Sequence, residues 1–227
     1  MNKFLLIFLF SIISFSAFSQ DARIVSVMFF PEMNGEIIEI NKEIRIISSN
    51  EKLNVTKLKF YVSQLSFYKD DQLVWQDNEI AHLMDAENEM NIKCIIKKNI
   101  EFNKIKIGLG IDSVTNVSGA LEGDLDPLKG MYWTWQSGYV NFKMEGTSTA
   151  IRSEAQRFEY HLGGYSGENN TYNSIVLPVE NSDTINIAID FNKFLSDFTV
   201  VTHVNVMSPG KVAVDLSKIL ASCFSIR

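Results

Sequence analysis

Residues 131–146 read MYWTWQSGYVNFKMEG, and the alternation at their end decides the fold. From Gly138 onward, Val140, Phe142 and Met144 point one way, while Tyr139, Asn141, Lys143 and Glu145 point the other. A period of two over this length predicts a strand with one buried face. If the extended conformation reaches back to Trp133 and Trp135, the two indoles share a face. Each then serves either as packing mass in a sheet core or as part of a site.

Working outward, the same pattern recurs along the chain. Residues 24–30, 36–40 and 44–47 are apolar and β-branched. Leu58, Phe60 and Val62 alternate, and then Leu65 and Phe67 alternate in the opposite phase, which predicts a β-bulge at Ser63-Gln64. Further strands are expected at 73–75, 81–84, 92–96, 100–109, 158–162, 174–177 and 184–191. Residues 112–129 lack periodicity, as expected of a functional or Ω-type loop, and 146–155 read as a surface loop. A helical turn fits 192–196. Near the end, Ser208 and Pro209 read as N-cap and first helical residue, followed by Val212, Leu216, Ile219, Leu220 and Cys223 at helical spacing. Many short strands with turn signals predict an all-β fold, an antiparallel β-sandwich with a short C-terminal helix.

Residues 1–19 have the form of a signal peptide. Lys3 is followed by an apolar run too short to span a bilayer comfortably, and Ala17-Phe18-Ser19 is a small-x-small cleavage pattern. Residues 20–227 then form a single domain, in a periplasmic or secreted location. The net charge of −6, with no basic stripe, argues against nucleic acid as a partner. No second apolar stretch is long enough for a membrane span. Cys94 and Cys223 are open to either a disulfide or two buried thiols.

Three histidines, His82, His161 and His203, are the nitrogen ligands available for a transition metal. His161 falls on the polar side of its strand, which suits a ligand and equally a surface residue. Met207, close after His203, is a soft donor suited to Cu(I). Glu122, Asp124 and Asp126 are hard oxygen donors of the kind calcium takes, without EF-hand spacing, or else a solvated acidic loop. No nucleophile elbow, zinc-protease, P-loop or dinucleotide motif occurs, so no catalytic residues are assigned and the chain does not read as an enzyme.

The run WTWQSGYVNFKMEG, with Phe158-Glu159-Tyr160-His161-Leu162-Gly163-Gly164 after it, resembles the MbnP-like family. The likeness also takes in residues 58–67 and 105–112 and covers most of the mature chain. These are secreted bacterial proteins with a β-rich fold, and the better-known members hold one copper ion with histidines and an oxidised tryptophan, kynurenine. The resemblance implies His161 as a ligand and Trp133 or Trp135 as the oxidised residue, with a di-haem peroxidase-type partner to oxidise it. Copper-binding relatives are expected to carry a second histidine before the WTWQ run. Residues 112–128 have none, and Asn116 stands roughly in its place. His82 or His203 supplies the missing ligand only if the fold brings it to His161. The expected function is copper capture or delivery; the alternative is a metal-free β-sandwich that serves as an interaction module of the bacterial envelope.

Overall fold

The fold comes from a computed structural model that describes residues 21–46, 51–135, 138–195 and 202–227. The expected leader, residues 1–19, lies outside them, as do Ile47, Gln136, Ser137 and Ser196. The chain runs β1 (Ala22–Met33), β2 (Glu36–Ile37), β3 (Glu43–Arg45), β4 (Lys52–Lys69), β5 (Gln72–Gln76), β6 (Ala81–Asp85), β7 (Asn91–Lys97) and β8 (Lys104–Leu109). After α1 (Ser113–Val117) come β9 (Tyr132–Trp133), β10 (Gly138–Ser148), β11 (Arg157–Gly163), β12 (Asn173–Pro178) and β13 (Thr184–Asp190). The end holds α2 (Phe191–Phe194), β14 (Asn205–Val206), α3 (Lys211–Ala221) and β15 (Phe224–Ile226).

Two sheets enclose one main core. In the first, β13 lies between β15 and β1, and β1 pairs on its other edge with β2 and β7. The second is built along β4. Lys59 pairs with Asp85 of β6 and Lys143 of β10, and Val62 pairs with His82 of β6 and Leu109 of β8. So β6 lies on one edge of β4, while β10 and β8 follow each other along the opposite edge. Beyond β10 come β11 and β14, and beyond β8 comes β12. Phe60 of β4 meets Phe29 of the first sheet edge-on, with ring centroids 5.8 Å apart. Phe191 and Phe194 of α2 pack on Phe142 and Tyr160.

The expected bulge in β4 is present: Gln64 takes φ +50°, and the pairing with β8 shifts between Ser63 and Ser66. A second irregularity between Glu145 and Gly146 switches the apolar phase from Val55 to Leu58. The sheets are not purely antiparallel, because β1–β13 and β11–β14 are parallel. No hairpin joins either pair, so nothing local imposes an antiparallel direction. The strand expected at 100–109 begins only at Lys104, and β1 runs past Pro31. The helix expected from Pro209 starts at Lys211 behind Gly210, and Val212 faces out rather than in. Cys94 and Cys223 are separate buried thiols. Burial pushes Cys94 up to about 12 and Cys223 up to about 11.

Candidate functional site

The site candidates gather on the outer face of the second sheet, away from the main core. Phe158, Tyr160 and Leu162 of β11 enter the core, so Glu159, His161 and Gly163 face out. Cross-strand register then sets two rows of neighbours: Asp85, Lys59, Lys143 and His161 form one, and Lys57, Glu145, Glu159 and Asn205 the other. The rows are tied by charge: Lys59 Nζ lies 2.8 Å from Asp85, and Lys57 Nζ lies 3.3 Å from Glu145.

His161 is 7% exposed, and its Nε2 lies 2.9 Å from Glu145 Oε1. Burial, and then the charge of Lys143, hold the imidazole below its ordinary 6.5. Burial pushes Glu145 up, but the His161 hydrogen bond and Lys57 outweigh it, and the carboxyl sits below 4.5. A carboxylate only accepts hydrogen bonds. Hence Nε2 carries the proton, and Nδ1 presents its lone pair with no partner among the described residues. A carboxylate that fixes the tautomer and aims the other nitrogen is the usual arrangement behind a ligating histidine.

The tryptophans do not lie on one strand face. Trp133 pairs with Gly138 in a tight hairpin, and the chain turns at Thr134 and Trp135. Trp133 is 8% exposed, Trp135 is 64% exposed, and their rings lie 5.5 Å apart. The six-membered ring of Trp133 lies over Gly163, where a β-carbon would stand 2.6 Å from Trp133 Cζ3. Gly163 is two residues beyond His161 on the same face, about 7 Å along the strand. The indole also walls a cavity of about 100 Å³ shared with Gly138, Gly164, Tyr165, Ser166, Asn169 and Pro209.

Residues 112–131 hold this hairpin in place, and they are not structureless. Gln64, the bulge residue, donates to Asp112 Oδ2 at 2.9 Å, and Asp112 caps α1. Asn116 is buried and fully engaged: its Oδ1 accepts from Tyr139 N at 2.8 Å, and its Nδ2 donates to the carbonyls of Ile111 and Asp112. The loop then crosses the outer face through two one-turn 3-10 helices, Gly123–Leu125 and Pro127–Lys129. Leu125 and Met131 pack there with Tyr61, Trp133, Tyr139 and Val140 in a second apolar cluster. Tyr61 Oη donates to Asp124 O at 3.1 Å, and Tyr139 Oη accepts from Leu121 N at 2.9 Å.

The other histidines stand elsewhere. His82 is three strands from His161, about 14 Å across the sheet, and its Nε2 lies 2.6 Å from Asp77 Oδ2. His203 precedes β14, whose register sets Asn205 opposite Glu159. It lines a groove with Asn205, Met207, Pro209 and Lys211, a lining that does not include His161. In the acidic loop, Asp124 accepts from Leu83 N and pairs with Lys129, and Asp126 accepts from Leu128 N. Among the described residues, no three of His, Cys, Asp and Glu come together as a metal site.

Sequence reasoning missed Glu145 and Gly163. Both lay on the polar face by alternation, but only the β10–β11 register shows that one orients His161 and the other seats Trp133.

A family model described as MbnP matches residues 22–208. Among solved structures, "MbnP from Methylosinus trichosporium" superposes with a TM-score of 0.58 at 12% identity, covering 76% of this chain and 77% of that one, a likeness of fold. No curated protein matches in sequence. No helix among the described residues is long and apolar enough to cross a membrane.

Proposed function

Because the chain belongs to the MbnP family, we propose that it is a copper-binding protein of the bacterial envelope, and that its metal face is the outer side of β11 with His161 as primary ligand. The observation that carries this reading is the state of His161: held by Glu145 through Nε2, with burial favouring the neutral ring and Nδ1 left as the open nitrogen, on the strand where Trp133 packs over Gly163 two residues further on. A periplasmic or secreted location follows from the leader read in residues 1–19 and from the family.

The residues fit an open site better than a closed one. Asn116 spends its whole amide on the backbone, and His82 stands three strands away with its Nε2 on Asp77. An unmodified indole offers only an N–H donor, so Trp133 can ligate only after oxidation. That step requires an external oxidant, the role of the di-haem peroxidase-type partner implied by the resemblance. Held on one side only, copper is suited to capture and hand-over, and the reading is one of binding, not turnover.

The test is copper titration of residues 20–227 purified from the native envelope, with intact mass measured alongside. The expected result is about one copper per chain, lost in His161→Ala, with any mass gain mapping to Trp133. Unchanged affinity in His161→Ala overturns the reading. The second reading, a metal-free interaction module, is favoured by the engaged Asn116 amide and the absence of a three-ligand cluster among the described residues. Unmodified mass and no bound metal in the native protein would establish it.

A further inference from the structure

We infer that the outer face of the first sheet docks on an anionic lipid bilayer, with Ile24 and Ile95 entering the headgroup layer and Lys93 and Lys97 meeting lipid phosphates. This face lies on the side of the molecule opposite His161, and its role does not depend on the copper reading.

Val25 and Val27 of β1, and Ile92, Cys94 and Ile96 of β7, enter the main core. Alternation then turns Ile24 and Ser26, with Lys93, Ile95 and Lys97, outward. Register sets Ile24 directly opposite Ile95, Ala22 opposite Lys97, and Ser26 opposite Lys93. Ile24 is 54% exposed and Ile95 is 68% exposed. The two isoleucines thus form one apolar spot in water, with a lysine on either side of it along β7. Helices lie elsewhere: Phe191 and Phe194 of α2, and Leu216 and Leu220 of α3, pack into the main core. Farther along β1, Phe30 shares the outer face, and the Arg227 guanidinium lies 4.7 Å over its ring.

The charges favour an anionic partner. Lys93, Lys97 and Lys98 are exposed, and among the described residues none of them forms an ion pair. On the borders of the face, Glu32 is held by Arg227 at 2.8 Å and Asp183 by Arg23 at 3.0 Å. Asp21 and Glu89 stand beyond its two ends. Composition then chooses between partners. Protein interfaces concentrate aromatic residues and arginine and are poor in lysine. Lysine beside an aliphatic residue suits a lipid surface, where the amine reaches phosphate while its stem and the isoleucine sit at the acyl boundary. The face also starts at the leader: β1 begins at Ala22, three residues after Ser19, where the expected leader ends. A chain still tethered there brings Ala22, Ile24 and Lys97 to the bilayer first. Docked this way, the protein turns the outer face of its second sheet, with His161, toward water.

The experiment is vesicle co-sedimentation of residues 20–227. One set of vesicles is phosphatidylcholine; the other is equal parts phosphatidylcholine and phosphatidylglycerol. Wild type is expected to pellet with the mixed vesicles, to stay in solution with phosphatidylcholine, and to be released by salt. Lys93→Glu with Lys97→Glu is expected to weaken binding by about tenfold or more. Ile24→Ser with Ile95→Ser is expected to weaken it while leaving the salt dependence in place. Lys211→Glu with Lys218→Glu, the same charge change on the exposed side of α3, is expected to bind as wild type. All these side chains are exposed, so the variants keep their fold, which circular dichroism checks. Wild type that ignores the mixed vesicles, or a β7 double variant that binds no worse than the α3 control, overturns the inference. Wild type that ignores vesicles but binds polyglutamate through Lys93 and Lys97 assigns the face to an acidic protein and overturns the bilayer.

Discussion

His161 sits between a carboxylate that would charge it and an environment that keeps it neutral. Its folded value lies below 6.5, so the unfolded chain takes up the proton first on acidification. The stability it contributes is therefore complete above about pH 6.5 and is lost as pH falls through the lower folded value. Glu145, also held low, adds a loss at more acidic pH, below its ordinary 4.5. The melting temperature of the metal-free protein should fall as the pH drops below the ordinary histidine value of about 6.5, and His161→Gln should flatten that fall. Glu145→Gln is expected to weaken copper binding about 10- to 100-fold without removing a ligand, as titration would show. Gly163→Ala would put a methyl into the Trp133 ring and against Tyr139 O, 2.7 Å away. It should cost about 1–3 kcal/mol and red-shift the tryptophan emission as the indole is displaced. At this scale the sequence was half legible. Alternation put His161 on the polar face, but nothing local showed that Glu145, sixteen residues earlier, would be its partner.

Among the elements, β4 was readable and the loop after β8 was not, for physical reasons. In β4 the apolar phase switches between Val62 and Leu65, and a one-residue bulge is the economical way to keep both runs buried. Deleting Gln64 should turn Leu65 and Phe67 to the outer face and yield insoluble protein, as a simple expression and solubility assay would reveal. Residues 112–131 carry no period, since their conformation is imposed by hydroxyls and amides on distant strands: Tyr61, Tyr139 and the side chain of Gln64. The tryptophan hairpin escaped notice in the same way, because Thr134-Trp135 carry none of the Asn-Gly or Asp-Gly chemistry of a short hairpin, and Ser137-Gly138 alone is a weak turn signal. Asn116→His, the change that would supply the histidine expected from the family resemblance, tests this directly. It would strand Tyr139 N and the Ile111 carbonyl, while the Asp112 carbonyl keeps the backbone N–H of residue 116 at 3.0 Å. The expected result is a loss of about 1–3 kcal/mol in denaturant unfolding and no gain in copper affinity.

For the molecule as a whole, the all-β class and the single main core were evident from composition and alternation, whereas the parallel pairings were not, since they join strands far apart in sequence. Phe60 is where the sheets meet: its ring touches Phe29 of β1 and Phe224 of β15, with centroids 5.8 and 6.1 Å away. Phe60→Ala should cost about 3–5 kcal/mol, read by thermal or denaturant melts. The pairing of residues 26–32 with residues 184–190 has a consequence in time. One edge of the first strand to emerge in synthesis stays open until almost the last has been made. Contacts so distant in sequence form slowly, because loop closure precedes their reward. The nascent polypeptide thus spends most of its synthesis unable to seal its first sheet, a delay that leaves it threadable for as long as export would require.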